Sequence, residues 1–298
     1  MRKLTNWLRT TEWKKLMGYG ALFMALFFLF LYLTFPFDAI RDTLINKIEA
    51  QGNLAVNIDE ISTFRLSGFQ IKGLKLAHAE TPNQVLFSLD EARMRLRLLQ
   101  LLRGRLWVDF DVYTYEGGIA GSVCKRGQLV DVAMNFSGLK LAKYQTRDLV
   151  RKVGQMDLEG VLSGNFEAHV NRINRRLNEG ALNINLDNLK AKNIKILEKE
   201  LPPIAFEPGK MSFELKRQNL TVKDFTLKGD NLEVGLTGRV TTREDLMSSR
   251  MFLTLKIKPS EAMEDALGII MMTLKEPDAN GFYQIPLKGT LKNPNAKP

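Results

Sequence analysis

The sequence predicts a mainly β protein: one N-terminal transmembrane helix followed by a curved, mostly antiparallel β-sheet domain with a few short helices. Three observations carry this expectation. Residues 16–35 run for twenty positions without a charge. From residue 54 onward, apolar and polar residues alternate in one segment after another, the period-two pattern of a strand with one apolar face. Short connections rich in turn residues join these segments, and glycines fall at the bends, which suits neighbouring strands paired antiparallel.

The uncharged run comes first. At about 1.5 Å per residue it matches the roughly 30 Å hydrocarbon core of a bilayer, with Leu16, Leu22, Leu26, Phe30 and Phe35 along its length. It closes in Leu33-Thr34-Phe35-Pro36-Phe37, which offers no small-residue cleavage site, so an uncleaved anchor is expected. Arg2, Lys3, Arg9, Lys14 and Lys15 precede the run, and only Arg41 and Lys47 follow it closely. That asymmetry determines topology: residues 1–15 form a cytoplasmic tail, 16–35 the span, and 36–298 a domain on the far side. The single cysteine, Cys124, excludes an intramolecular disulfide and fits a bacterial periplasm better than a disulfide-rich extracellular space. The expected location is the bacterial inner membrane, single-pass, with the C-terminal domain in the periplasm. Of the net charge of +10, the tail's five basic residues less Glu12 supply four, and the rest is spread thinly.

After the anchor, Asp38 is placed to cap a helix with Ile40, Leu44, Ile45 and Ile48 on one face, ending at Gln51-Gly52-Asn53. Strands are expected at 54–58, 64–76 and 85–98, followed by a short apolar run, 98–102, open to a helical turn before Arg103-Gly104-Arg105. Residues 106–112 and 119–123 read as a hairpin about Glu116-Gly117-Gly118, and 129–136 as the next strand. Residues 138–154 read as a short amphipathic helix, with a sub-boundary expected near 138–156. Alternation resumes from Met156. It continues through a charged hairpin loop at 171–180, the clean series Leu182, Ile184, Leu186 with Asn183 and Asn185 between them expected to face solvent, a break at Pro202-Pro203, and strands at 206–215, 220–227, 232–240 and 246–257. Ser260 caps the last helix, 259–275, whose stripe is Ala262, Ala266, Ile269, Ile270 and Leu274; a final strand follows at 282–291. A loose similarity joins 158–164, 232–238 and 285–291, each an alternating strand with a glycine near its bend.

Candidate chemistry is sparse. His78 and His169 lie far apart and neither has a ligand partner three or four residues away, so no metal site is expected. Cys124 stands beside Lys125 and Arg126 with no base marked by its context. Neither a G-x-S-x-G elbow nor a phosphate loop occurs. Asp109 and Asp111 share a strand face, as exposed strand carboxylates often do. Arg93, Arg95 and Arg97 share a face as well, and read as a solvated or lipid-headgroup-facing edge. No catalytic residue, cofactor or metal is assigned, no nucleic-acid partner is expected, and the protein is read as a non-enzyme.

Several stretches together carry a family resemblance: the basic tail and single anchor; Leu33-Thr34-Phe35-Pro36-Phe37-Asp38 with a helix closing at Gly52; Leu98-Leu99-Gln100-Leu101-Leu102-Arg103-Gly104-Arg105; and the ending Tyr283-Gln284-Ile285-Pro286-Leu287-Lys288-Gly289-Thr290-Leu291-Lys292-Asn293-Pro294. The arrangement resembles type II secretion system protein N in the form found in delta-proteobacteria and Leptospira, and is similar to AsmA-like inner-membrane proteins. The resemblance implies a bitopic inner-membrane protein with a β-rich periplasmic domain and no enzymatic role. Two functions stand. One is an accessory subunit of a type II secretion apparatus, whose partners are the bilayer and other secretion subunits. The alternative is an AsmA-like lipid-binding or lipid-transfer protein with an apolar groove for phospholipid. The cover on the sheet's apolar face discriminates them: a dry face packed by helices favours the scaffold, and an open trough favours lipid.

Overall fold

A computed structural model describes residues 17–20, 22–23, 26, 41–43, 45–46, 49, 54–65, 67–78, 81–143, 155–196, 199–243, 245–268, 271, 274 and 276–296. The chain divides into two units, Met1–Lys47 and Ile48–Pro298. In the first, every described residue is helical, and those between 17 and 26, Leu22 and Leu26 among them, are exposed. Among the described residues no helix is long and apolar enough to cross a membrane. Leu16, Phe30, Phe35 and the basic residues Arg2, Lys3, Arg9, Lys14 and Lys15 lie outside the described residues, as does most of the amphipathic helix expected at 138–154.

The second unit is one sixteen-stranded antiparallel sheet. Its strands are β1 (Leu54–Phe64), β2 (Gly68–His78), β3 (Thr81–Leu96), β4 (Leu106–Thr114), β5 (Gly117–Arg126), β6 (Leu129–Lys140), β7 (Gln155–Asn171), β8 (Glu179–Ile196), β9 (Lys199–Leu201), β10 (Ile204–Ala205), β11 (Gly209–Lys216), β12 (Asn219–Leu227), β13 (Leu232–Thr241), β14 (Arg250–Pro259), β15 (Tyr283–Thr290) and β16 (Pro294–Ala296). Fourteen of them pair in chain order as a meander. Only β9 and β10 leave the path, both folding back on the long β8. Most strands run longer than their cleanest alternation, and β16 lies beyond the last strand expected. Among the described residues the unit also carries two short helical segments, α1 (Leu98–Leu101) and α2 (Glu261–Leu267). The apolar run 98–102 thus does turn helical.

Two local expectations are corrected. The β4–β5 turn is made by Tyr115 and Glu116, both at positive φ (51° and 59°), the conformation of a two-residue hairpin turn that matches strand twist. Gly117 and Gly118 are therefore paired residues of β5, opposite Thr114 and Tyr113. The last helix is interrupted where one continuous helix is expected: a first segment is followed, after Gly268, by a helical Met271. Ser260 does cap the first segment, its hydroxyl accepting from the Met263 amide, but it stops at Leu267 because Gly268 turns to φ 40°. Ile269 and Ile270 lie outside the described residues.

The largest buried clusters sit at one place, while Ile58, Ile71 and Ala92 are buried apart from them on β1–β3. Leu186, Leu189, Met211 and Leu227 form one cluster, and Ala191, Ile194, Ile204 and Met263 a second beside it, with Leu158 and Phe206 packed against both. They form where the end of β8, the folded-back β9 and β10, and α2 come over the sheet. Met263, only 1 % exposed, is the side chain with which α2 closes this core; it was not in the expected stripe.

Candidate functional site

Because successive strand residues point to opposite faces, the register sorts the sheet into an apolar and a polar side. On β4, Val108, Phe110 and Val112 stand opposite Val123, Gly121 and Ile119 of β5, which stand opposite Val132, Met134 and Phe136 of β6. The rungs continue through Ala168, Phe166 and Gly164 of β7 to Leu182 and Ile184 of β8, then Phe213 and Met211 of β11. Farther along, Leu253 and Leu255 of β14 lie between Gly238 and Leu236 of β13 and Leu287 and Ile285 of β15. One apolar face therefore runs unbroken across the meander.

Its texture comes from glycines placed under rings. The Phe110 Cζ lies 2.7 Å from where a β-carbon on Gly121 would stand, and the Phe136 Cζ lies 2.6 Å from the same position on Gly164. In both cases the glycine is the ring's register partner, so the ring lies over the neighbouring strand. Periodicity identified the aromatic positions; the pairing with glycines needs the register and was not legible. The three loosely similar segments do not share one backbone role. Gly238 and Gly289 take positive φ (117° and 107°), whereas Gly164 sits beneath a ring.

Cover on this face is local. Among the described residues α2 packs over β8, β9, β10 and β14, and at the other end of the face Ile71 and Ala92, in register with Val112, are buried. Away from the core clusters, Phe110, Met134, Phe166, Leu182, Leu253 and Leu287 stay half-buried. Sheet spacing and strand rise give the apolar face a footprint of roughly 60 Å along the ladder and about 1,000 Å².

The opposite face is polar and tied together by ion pairs and amides. Asp109, with a side chain 16 % exposed, receives Arg97 in a two-pronged pair at 2.7 and 2.8 Å, Arg95 at 3.2 Å and the Trp107 indole at 3.1 Å. The Arg97 guanidinium also lies 4.6 Å from the Trp107 ring centre. Hydrogen bonding from Arg97, against opposing burial and with help from Arg95 and Trp107, holds the Asp109 carboxyl below its usual range. Asp111 stands exposed opposite Arg93, which pairs instead with Glu91 at 2.7 Å. The two aspartates thus share a face, but Asp109 is committed to two arginines.

Asn183 departs from the expectation that it faces open solvent. Its amide donates to Asn165 at 3.3 Å and its carbonyl accepts from the Ser212 hydroxyl at 2.8 Å, a half-buried ladder across three strands; Asn185 is exposed as expected. His169 contacts Asp131 through Nδ1 at 2.8 Å on an exposed surface, and Cys124 is buried near the end of β5. Among the described residues no three potential metal ligands gather at one place.

Compared with family models, curated proteins and solved structures, the chain matches none of them.

Proposed function

We propose that this chain is a membrane-anchored, non-enzymatic protein that holds phospholipid acyl chains on the apolar face of its sheet, in the manner expected of AsmA-like lipid-binding or lipid-transfer proteins. The observation that carries the reading is a continuous apolar face whose middle rungs, from Phe110 and Met134 to Phe166 and Leu182, stay half-buried between closed stretches at Ile71 and Ala92 and under α2. A leaflet's acyl chain is about 15 Å long, so a face of roughly 60 Å accommodates several. Register shifts at Phe136/Leu139, Glu159/Val161 and Val222/Thr226 supply the bends that curve such a sheet into a trough. The anchor proposed for 16–35, with the tail cytoplasmic and the sheet periplasmic, rests on the uncharged run and its basic flank.

Adjacent residues on opposite faces of β14 test the reading. Leu253 lies on the apolar face, and Phe252, 50 % exposed, on the polar one. With the full chain in detergent, Leu253→Glu should abolish binding of a fluorescent phospholipid while Phe252→Glu leaves it unchanged. Equal effects, or none, would sink the proposal. Leu22→Arg or Leu26→Arg should block insertion, at about 2.5–3.5 kcal/mol for a central arginine. A variant that still fractionates with the membrane argues against the anchor.

A second reading, an accessory subunit of a type II secretion apparatus, draws on the sheet's edges. β1 and β16 each pair with one neighbour only among the described residues, and such an edge is a site for strand addition by another subunit. Site-specific crosslinking from Glu60 on β1 to secretion subunits would support it.

A further inference from the structure

In a meander of antiparallel strands, successive connections fall at opposite ends of the strands. The links at 65–67, 97–105, 127–128, 172–178, 217–218, 242–249 and 291–293 therefore share one rim of the sheet. In sequence these seven hold ten basic residues and two acidic ones. The six links of the other rim, at 79–80, 115–116, 141–154, 197–208, 228–231 and 260–282, hold seven basic and twelve acidic. The basic rim is also where large apolar side chains stand in the open. Leu99 and Leu102 are 76 % and 85 % exposed at α1, and Ile173 and Leu177 are 77 % and 60 % exposed between β7 and β8. Arg103 and Arg105 flank the first pair and, among the described residues, have no ion-pair partner.

We propose that this rim docks on an anionic phospholipid surface, with Leu99, Leu102, Ile173 and Leu177 entering the headgroup–acyl boundary and Arg103, Arg105 and their neighbours meeting lipid phosphates. Apolar tips set among cations are what such a surface binds, by apolar burial together with charge. A solvated basic loop has no use for leucines at its apex. Single-stranded nucleic acid is bound by aromatic platforms, and none of the exposed apolar side chains on these links is aromatic. The docking stands on the rim alone. Its use rests on the acyl-chain reading: the apolar rungs end beside these links, at Leu96 opposite Val108 and at Val130 opposite Val170, so a chain leaving the bilayer at the rim passes directly onto the apolar face.

The test uses the full chain in a Cys124→Ser background, reconstituted in phosphatidylcholine nanodiscs and carrying one nitrobenzoxadiazole label. The label sits at Leu102→Cys, at Ile173→Cys or, as a mid-strand control on the exposed Ala120, at Ala120→Cys. Brominated lipid is supplied in added vesicles, or in the disc itself, either as phosphatidylcholine alone or with phosphatidylglycerol. Docking predicts quenching of both rim labels by the anionic lipid from at least one of the two membranes, little by the neutral lipid, and none at the control. Arg103→Glu with Arg105→Glu should weaken the anionic response about tenfold or more without shifting the thermal unfolding midpoint. The inference is overturned if anionic lipid leaves both rim labels unquenched, if the control is quenched equally, or if the labels respond only to an added soluble periplasmic protein. Fluorescent phospholipid binding in micelles, measured on the same samples, reports the acyl-chain reading separately: intact lipid binding with unquenched rim labels removes the docking alone.

Discussion

Phe110 lies across Gly121, its partner on the neighbouring strand, with Cζ 2.7 Å from the place a β-carbon would occupy. The glycine is there for close approach, since the backbone of Ala133 and the side chain of Met134 crowd the same point. Gly121→Val should therefore destabilise the sheet by about 1–3 kcal/mol. Gly118 of the same strand has its nearest such neighbour 4.0 Å away, and Gly118→Ala should be close to neutral. Urea unfolding midpoints of the two variants check this; equal midpoints would mean that the ring does not need the glycine.

Met263 carries the contact between α2 and the sheet. Met263→Ala should cost about 2–4 kcal/mol, and Ser260→Ala, which removes the helix cap, about 1 kcal/mol. Calorimetry of both variants measures the two costs, and a neutral Met263→Ala would place the core elsewhere.

Acid should weaken the polar face. Lys216 and Lys223 hydrogen-bond Glu214 and bring its carboxyl from 4.5 down to about 2, and Asp109 is shifted the same way by Arg97. Carboxylates depressed in the folded state contribute stability above their unfolded values, and that contribution is lost as pH falls through the folded ones. Stability should thus decline as pH falls from 4.5 toward 2, and Glu214→Gln should decline less. Identical acid slopes for Glu214→Gln and the parent chain would contradict this.

Alternation made the sheet legible. Leu182, Ile184 and Leu186 announce a strand with one apolar side because side-chain direction repeats every two residues, and a chain of such segments with short links implies a meander. What escaped needed information from other strands. Asn183 reads as solvent-facing until Asn165 and Ser212 are brought beside it. Tyr115 and Glu116 outcompete the adjacent glycines for the turn because strand register, a cooperative property, decides which pair bends. The helix stripe at Ala262 and Ala266 gave way to Met263 for a similar reason: the partner surface made by β9 and β10 selects which side of α2 is buried. The exposed leucines at 98–102 were visible as an apolar run, but their place on a shared basic rim follows only from the strand order.

The central claim, that the apolar face holds acyl chains, is tested most directly by photo-crosslinking the full chain with a phospholipid bearing a diazirine near the end of its acyl chain, then mapping adducts by mass spectrometry. The account predicts adducts on Phe110, Phe166 and Leu253 of the apolar face, and none on Asn135, Glu167 or Phe252, which point the other way. Adducts distributed equally over both faces, or confined to residues 16–35, would contradict it.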